Sequence, residues 1–468
     1  MRNLILTAFL FASTYQTAVA GWDANWQFYT TTNNQATITR SNKKLSGNVA
    51  IPNSVDGIPV VQVGGEGNVF GDSSTNITSI TIPDGVISIG NRAFSECSSL
   101  TTIAIPNSIT SIGEFAFSTC DSLKSVTIPN SVTNISQYAF AECRALTSVT
   151  IGNGVTRIGN AAFEECSSLT TIAIPDSVMS IGGSAFFKCT SLTRLDIGNN
   201  VRNIGERAFG LCEGLTSITI PDSVMNIGIH AFGGCTGLTS VTLGSGVTEM
   251  GAEVFYGCTG LTTLTIGNKV TSIGQQAFYY CSGLKSITIG NSVTSIGDMA
   301  FTQCRSLLNI IIPNRVTSIG SAAFSGCAAL TNITIPNSVM NMDNQAFSGC
   351  TGLTNVVIGN SVGSIADETF SSCSSLASVT IPNSVTNIGD CAFMNAGLRS
   401  ATIGNSVKSV GRSAFNSCTN LISITFPSSV NIIEEGAFYG CTRLTSITIA
   451  PGTSIKRELP SHIKVIRK

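Results

Sequence analysis

The sequence predicts an α/β repeat solenoid, with a parallel β-sheet on one face and short strands, turns and 3₁₀ or helical segments on the other. Three observations lead there. Thirteen cysteines, from Cys97 to Cys373, recur every 23 residues without a slip. Each sits in one phrase, as in Ala93-Phe94-Ser95-Glu96-Cys97-Ser98-Ser99-Leu100, followed by Ile103, Ile105 and Ile112. The chain is 43% apolar and 11% charged, yet beyond its first twenty residues it holds no long unbroken apolar run. Such self-similarity means one unit stacked on its copies, each too small to bury a core alone.

In chain order, residues 1–20 read as a secretory signal peptide. Arg2 supplies the positive start, Leu4 to Ala12 are apolar apart from Thr7, and Ala18-Val19-Ala20 is a small-x-small cleavage site. The apolar stretch is too short to span a bilayer, and no cysteine near the cleavage site suggests a lipoprotein anchor. The expectation is an exported chain beginning near Gly21, secreted or at a cell surface, with a periplasmic fate left open. Residues 21–69 hold both tryptophans, Trp22 and Trp26, and an interrupted phrase at Ile51-Pro52-Asn53-Ser54-Val55. They are expected to form an N-terminal cap and an imperfect first repeat. Residues 70–450 are the solenoid, and 451–468 a C-terminal cap in which Leu459-Pro460-Ser461-His462-Ile463 repeats half a turn.

Leu100 to Cys120 illustrate one turn. Leu100, Ile103 and Ile105 have the spacing of a short strand whose alternate side chains face inward. Pro106-Asn107-Ser108 turns the chain. Ile109 and Ile112 form a second inward stretch, Gly113 bends the backbone, and Ala116, Phe117 and Cys120 suit a helical or 3₁₀ turn delivering all three inward. Stacked turns then make columns of Leu, Ile, Val, Phe and Cys under a parallel sheet. At about 4.8 Å per strand, roughly seventeen turns would span about 80 Å. The expected structural core includes Phe94, Phe117, Phe140, Cys97, Cys120 and Cys143.

The phrase Ile-Pro-Asn-Ser-Val-Thr-Ser-Ile-Gly-x-x-Ala-Phe-x-x-Cys-x-x-Leu-Thr-Ser-Ile resembles the BspA-like class of leucine-rich repeat proteins, over residues 45 to 466. That class is typically exported or displayed on the surface of bacteria and some protozoa, and includes proteins that bind host matrix proteins or other cells. The resemblance therefore implies a curved right-handed solenoid with a binding or adhesion role. One departure matters. The asparagine slot of familiar leucine-rich repeats holds Ser or Gly here, as at Ser108 and Gly154, with Asn or Asp one place earlier. No asparagine ladder is expected at the usual position.

Little in the chain points to catalysis. The cysteines lack C-x-x-C spacing, and a 23-residue step puts them in one column rather than around a metal. Neighbouring rungs would hold Cα atoms within disulfide range but with nearly parallel Cβ vectors, which suits buried thiols better than disulfides. Cys391 lies off the column, in a turn where Ala396 replaces Cys, Ala401 replaces Ile and one residue is missing. That turn is expected to be the weakest. His230 and His462 are too far apart to share a metal, and no Ser/His/Asp or Cys/His triad is plausible. The chain is thus expected not to be an enzyme, with no catalytic residues, no cofactor and no metal. A net charge of −1 argues against nucleic acid as a partner.

The outward strand positions are the candidate site. They read Ser79/Thr81, Thr102/Ala104, Ser125/Thr127 and onward as hydroxyls to Ser446/Thr448. Arg194 and Asp196 stand together on one strand against that background, and Ile311 and Val357 are apolar where Thr is usual. Departures from a repeat on an exposed face are where selective recognition resides. The expected function is a non-enzymatic scaffold binding an extracellular protein or glycan through this face. Alternatives are a structural, self-associating envelope or extracellular matrix component and, less consistent with the interruptions, an ice-binding hydroxyl array. Whether the chain is monomeric is left undecided.

Overall fold

The computed structural model describes residues 19–468 other than 32, 66 and 458. The expected signal-peptide residues 1–18 lie outside the described residues. The strand Val19–Trp22 carries residues from both sides of the expected cleavage point.

The chain winds into a parallel β-solenoid of about 18 turns. Each turn contributes one strand to a strand face, such as Ser125–Ile128 or Ser148–Ile151, and a two-residue strand to a second, short face, such as Asn134–Ile135 or Arg157–Ile158. Pairing between turns is parallel and in register, with Val126 opposite Val149 and Ile135 opposite Ile158. The 23-residue step demands this: equal turn lengths put identical residues above one another, so side chains of one kind share a column. Burial follows. Leu100, Ile109, Ile112, Ala116, Phe117 and Cys120 are buried, while Ile103 and Ile105 are half-buried.

The expected helical segments are not there. Among the described residues the one helical element is a 3₁₀ helix at Gly71–Asn76. The corner holding Ala, Phe and Cys is instead a run of tight turns, and its backbone gives the reason. Two residues per turn sit in the left-handed region, Phe115 (φ 55°) and Thr119 (φ 60°) in one turn, Tyr138 (φ 55°) and Glu142 (φ 60°) in the next. An L-residue there interrupts a right-handed helix, and Gly234, Gly257, Gly326, Gly349 and Gly440 fill the second of those slots without penalty. The interruption re-aims the amides. The N–H groups of Ala116, Ser118 and Cys120 bond three residues back, to Gly113, Phe115 and Phe117. Those of Phe115, Phe117 and Thr119 reach the next turn, at Gln137, Ala139 and Ala141 (3.2, 2.7 and 2.8 Å). A helix would consume these donors internally. Here they form a third hydrogen-bonded ladder along the axis.

Two further columns tie the turns together. From Phe117–Phe140 to Phe415–Phe438 the rings stack with centroids 5.0–5.7 Å apart and planes within 14°. Beside them each column cysteine from Cys120 onward donates its S–H to a phenylalanine carbonyl of the turn below. Cys120 Sγ lies 3.3 Å from Phe94 O and Cys143 Sγ 3.2 Å from Phe117 O, and the pattern runs to Cys441 on Phe415 O at 3.0 Å. The slot thus suits a small side chain with one weak donor. Burial pushes the Cys97 thiol up to about 12, with the nearby Glu96 charge adding to it, and raises that of Cys120 well above its ordinary value.

Asparagine and aspartate do form ladders, one place away from the familiar slot. Asn130 Oδ1 accepts the Asn153 N–H (2.7 Å), Asp176 Oδ1 that of Asn199 (2.7 Å) and Asn337 Oδ1 that of Asn360 (2.8 Å). In these pairs a Pro-Asn or Pro-Asp turn lies under a Gly-Asn turn. A Cβ on Gly152 would stand 2.6 Å from the Pro129 carbonyl carbon, so glycine is what permits the close stacking.

At one end an antiparallel meander, Val19–Trp22, Trp26–Thr30 and Ala36–Ser41, leads into the short-strand ladder through Ile38 opposite Val63. Trp26, 6% exposed, lies over Phe70, which stacks on Phe94, so it caps the ring column. At the other end Lys464–Arg467 pairs with Ser446–Ile449. The Arg467 guanidinium donates to the carbonyls of Ala450, Pro451 and Thr453 (3.3, 2.9 and 3.3 Å), tying this strand to the turn that follows Ser446–Ile449.

The turn expected to be weakest keeps its ladders. Ser378 pairs with Ser400 and Thr380 with Thr402, and the Phe370 and Phe393 amides still reach Ala392 and Ala414. The missing residue is lost between Ala396 and Leu398, outside the strands. Gly397 allows it, since a Cβ there would collide with the Ser374 carbonyl. What is forgone is the thiol bond to Phe370 O and close packing at Ala401, which is half-buried.

Candidate interaction face

On the strand face, alternate side chains point away from the core, as the period of two requires. Ser125 and Thr127 are exposed while Val126 and Ile128 are buried, and the same pattern holds at Ser217–Thr219 and Ser423–Thr425. A second layer of threonines is spent on the fold. Thr147, Thr170 and Thr193 donate their hydroxyls to the carbonyls of Lys124, Thr147 and Thr170. The background of the face is therefore short, uncharged and closely held.

Arg194 and Asp196 break it. Their side chains are 72% and 54% exposed and form an ion pair, Arg194 Nε to Asp196 Oδ2, at 2.9 Å. Asp196 lies beside Ala173, whose small side chain leaves the carboxylate open. An ion pair this exposed contributes little to stability. It does hold a planar donor group at a fixed place on the face.

Ile311 and Val357 stand further along the axis, Ile311 five 23-residue steps beyond Asp196 and Val357 two beyond Ile311. Ile311 is 82% exposed and Val357 50%. Four neighbours escaped the reading of the sequence. Asn309, Asn332 and Asn355 replace serine in three successive turns, Asn332 directly opposite Asn355, and Leu308, 48% exposed, replaces the usual threonine. The signal was available in the sequence: three consecutive identical departures in one column. The two groups stay apart, at about 24 Å from Asp196 to Ile311 for strands about 4.8 Å apart.

The parallel ladder on this face is continuous except at three steps. It lapses after Arg194–Ile197, after Asn309–Ile310 and after Asn355–Val357. Each lapse borders a strand that carries one of the departures. The side-chain exceptions and the backbone exceptions of the strand face thus coincide.

Elsewhere the surface offers less. A recess of about 500 Å³ lies at the short-strand face, lined by Asp176, Met179, Arg202 and Met225 among others. At the corner His230 is half-buried, its ring over Gly233 and against Tyr256, and burial lowers its pKa. Among the described residues no three His, Cys, Asp or Glu side chains are grouped to hold a metal ion, and no helix is long and apolar enough to cross a membrane.

Known proteins place this architecture. The crystal structure of a leucine-rich repeat protein from Bacteroides ovatus superposes with a TM-score of 0.55, covering 96% of this chain and 99% of that one at 24% identity. A leucine rich cell surface protein from Faecalibacterium prausnitzii is 26% identical over 92% of this chain and 95% of its own, with a TM-score of 0.37. The pneumococcal vaccine antigen PcpA is 17% identical over 95% of this chain and all of its own, with a TM-score of 0.44. No curated protein matches. The model of the BspA type leucine rich repeat region matches residues 66–193, 156–285, 271–395 and 342–460. The repeat phrase and the solenoid agree with that match, and the chain belongs to the BspA-type leucine-rich repeat family.

Proposed function

We propose that the protein is an exported, non-enzymatic binding scaffold, displayed at a cell surface or secreted, that recognises a protein or glycan through its strand face. The observation that carries this reading is the coincidence on that face of exposed exceptions and ladder lapses, at Arg194/Asp196 and at Asn309 to Val357. An aliphatic side chain as exposed as Ile311 on a sheet face adds nothing to folding, whereas a partner that covers it gains burial of that side chain. Many weak contacts over an extended face, with Arg194, Asp196, Ile311 and Val357 as anchors, would supply affinity and selectivity. The family supports display outside the cell.

The test is a pull-down from the native environment with the folded chain and two repaired faces, Arg194→Ser/Asp196→Thr and Ile311→Thr/Val357→Thr. A partner held by the parent and lost from either repaired face supports the reading. Binding unchanged by both repairs overturns the assignment of the face. Recovery of the protein alone points to self-association instead.

A further inference from the structure

The chain's net charge of −1 conceals a division along the axis. Residues 399–468 hold nine Lys and Arg against three Asp and Glu, a local charge of +6. Residues 1–398 hold sixteen against twenty-three, or −7. Stacking turns this division in sequence into a division in space, because position along the chain is position along the rod. Arg443, Lys456, Lys464 and Lys468 lie within the last turn, and Arg399, Lys408 and Arg412 within about 14 Å of it at about 4.8 Å per rung. All are exposed. Of the nine cations, Arg457 alone has a carboxylate partner among the described residues, Glu435. Arg467 is spent on backbone carbonyls.

Further up the rod carboxylates outnumber cations, and two of those cations are neutralised in place: Arg144 is paired with Asp121, Glu142 and Glu165, and Lys188 with Glu165. At the basic end Val465, in register with buried Ile447, is 36% exposed and shares the strand Lys464–Arg467 with Lys464.

We propose that this end of the solenoid docks on a bilayer surface rich in anionic phospholipid, with the rod standing off it. Three features favour a bilayer over a single polyanionic strand. The cations are spread around a tip rather than along a groove, the two recesses at residues 62–136 and 176–225 lie elsewhere, and the tip carries the part-exposed apolar side chain of Val465, which headgroups can receive. Each basic residue close to such a surface is attracted independently, within about a Debye length. The acidic remainder is repelled by the same surface, which orients the rod end-on and leaves the strand face free. The interaction does not depend on what the strand face binds.

The experiment is vesicle co-sedimentation of the purified chain with phosphatidylcholine vesicles, with and without about a third phosphatidylglycerol. Binding should require the anionic lipid and weaken steeply as salt rises from 50 to 500 mM, since screening shortens the field. Lys456→Gln/Lys464→Gln/Lys468→Gln should lower the partition coefficient roughly 100-fold. The mid-rod control Lys124→Gln/Lys269→Gln/Lys285→Gln should leave it within about twofold. Equal binding to neutral vesicles, an equal loss in the control, or retention on immobilised heparin with none on vesicles would each overturn the proposal.

Discussion

Phe209→Ala tests the central physical claim, that stability resides in nearest-neighbour contacts along the axis. The ring is fully buried and stacks on Phe186 at 5.3 Å and on Phe232 at 5.4 Å. Removing roughly 150 Å² of buried aromatic surface at about 25 cal/mol per Å² costs about 4 kcal/mol. That agrees with the about 3–5 kcal/mol typical of such truncations. Each neighbouring ring also loses a stacked face, worth about 0.5–1.5 kcal/mol, so the upper end is expected. In a quasi-one-dimensional array this loss stays local. Hydrogen exchange reads it directly, because the Phe186 amide bonds Ala208 and the Phe209 amide bonds Ala231, both at 2.8 Å. Where opening is local, a loss of about 4 kcal/mol speeds exchange of these amides about a thousandfold. The amides of Phe94 and Phe370, many turns away, should change little. A local effect under about 1 kcal/mol, or an equal loss of protection along the whole chain, would refute the reasoning.

Four other outcomes are expected. Gly154→Ala should destabilise by about 1–3 kcal/mol in denaturant unfolding, because the new methyl would meet the Asn130 carbonyl of the turn below. The thiols set an alkaline limit. Burial pushes Cys235, Cys281 and Cys327 up to about 12, so the folded state keeps its protons while the unfolded chain releases them near the ordinary value of 9.0. Their contribution to stability is complete below pH 9 and is lost as pH rises towards 12, which unfolding midpoints across that range would register. At pH 8 a thiol reagent should find Cys391 at most in the native chain, and nearly all sixteen cysteines after unfolding without reductant; a count near zero would mean disulfides. Finally, the hydroxyl rows are interrupted by Arg194, Asp196, Ile311 and Val357, so no thermal hysteresis is expected in a freezing assay.

Much of the molecule was legible in advance because each inward residue is repeated in every turn. Phe94, Phe117, Phe140, Cys97, Cys120 and Cys143 are all buried without residual exposure, as a column of identical residues requires. The corner was misread for an equally physical reason. Ala-Phe-x-x-Cys has a spacing that a helical turn would satisfy, and nothing local distinguishes it from alternating right- and left-handed residues whose amides serve the neighbouring turn. The glycines at 234, 257, 326, 349 and 440 were the available hint, since glycine recurs where φ is positive. Of the candidate face, Arg194, Asp196, Ile311 and Val357 stood out as departures in type, whereas Asn309, Asn332 and Asn355 passed as polar neighbours of serine. Their common column becomes evident when the turns are set side by side.

The sequence by itself determined the architecture: a fixed step with apolar residues at fixed places admits one way to bury them, stacking. It also determined where the exceptions lie along the chain. Only the tertiary structure decided what those positions mean in space, because hydrogen bonds between turns join residues 23 apart that no local window connects. Those bonds turned an expected helix into a third ladder and gave the thiols their carbonyl partners. The three lapses of the strand ladder border the exposed exceptions, and cations dispersed over the last seventy residues are gathered at one end of the rod.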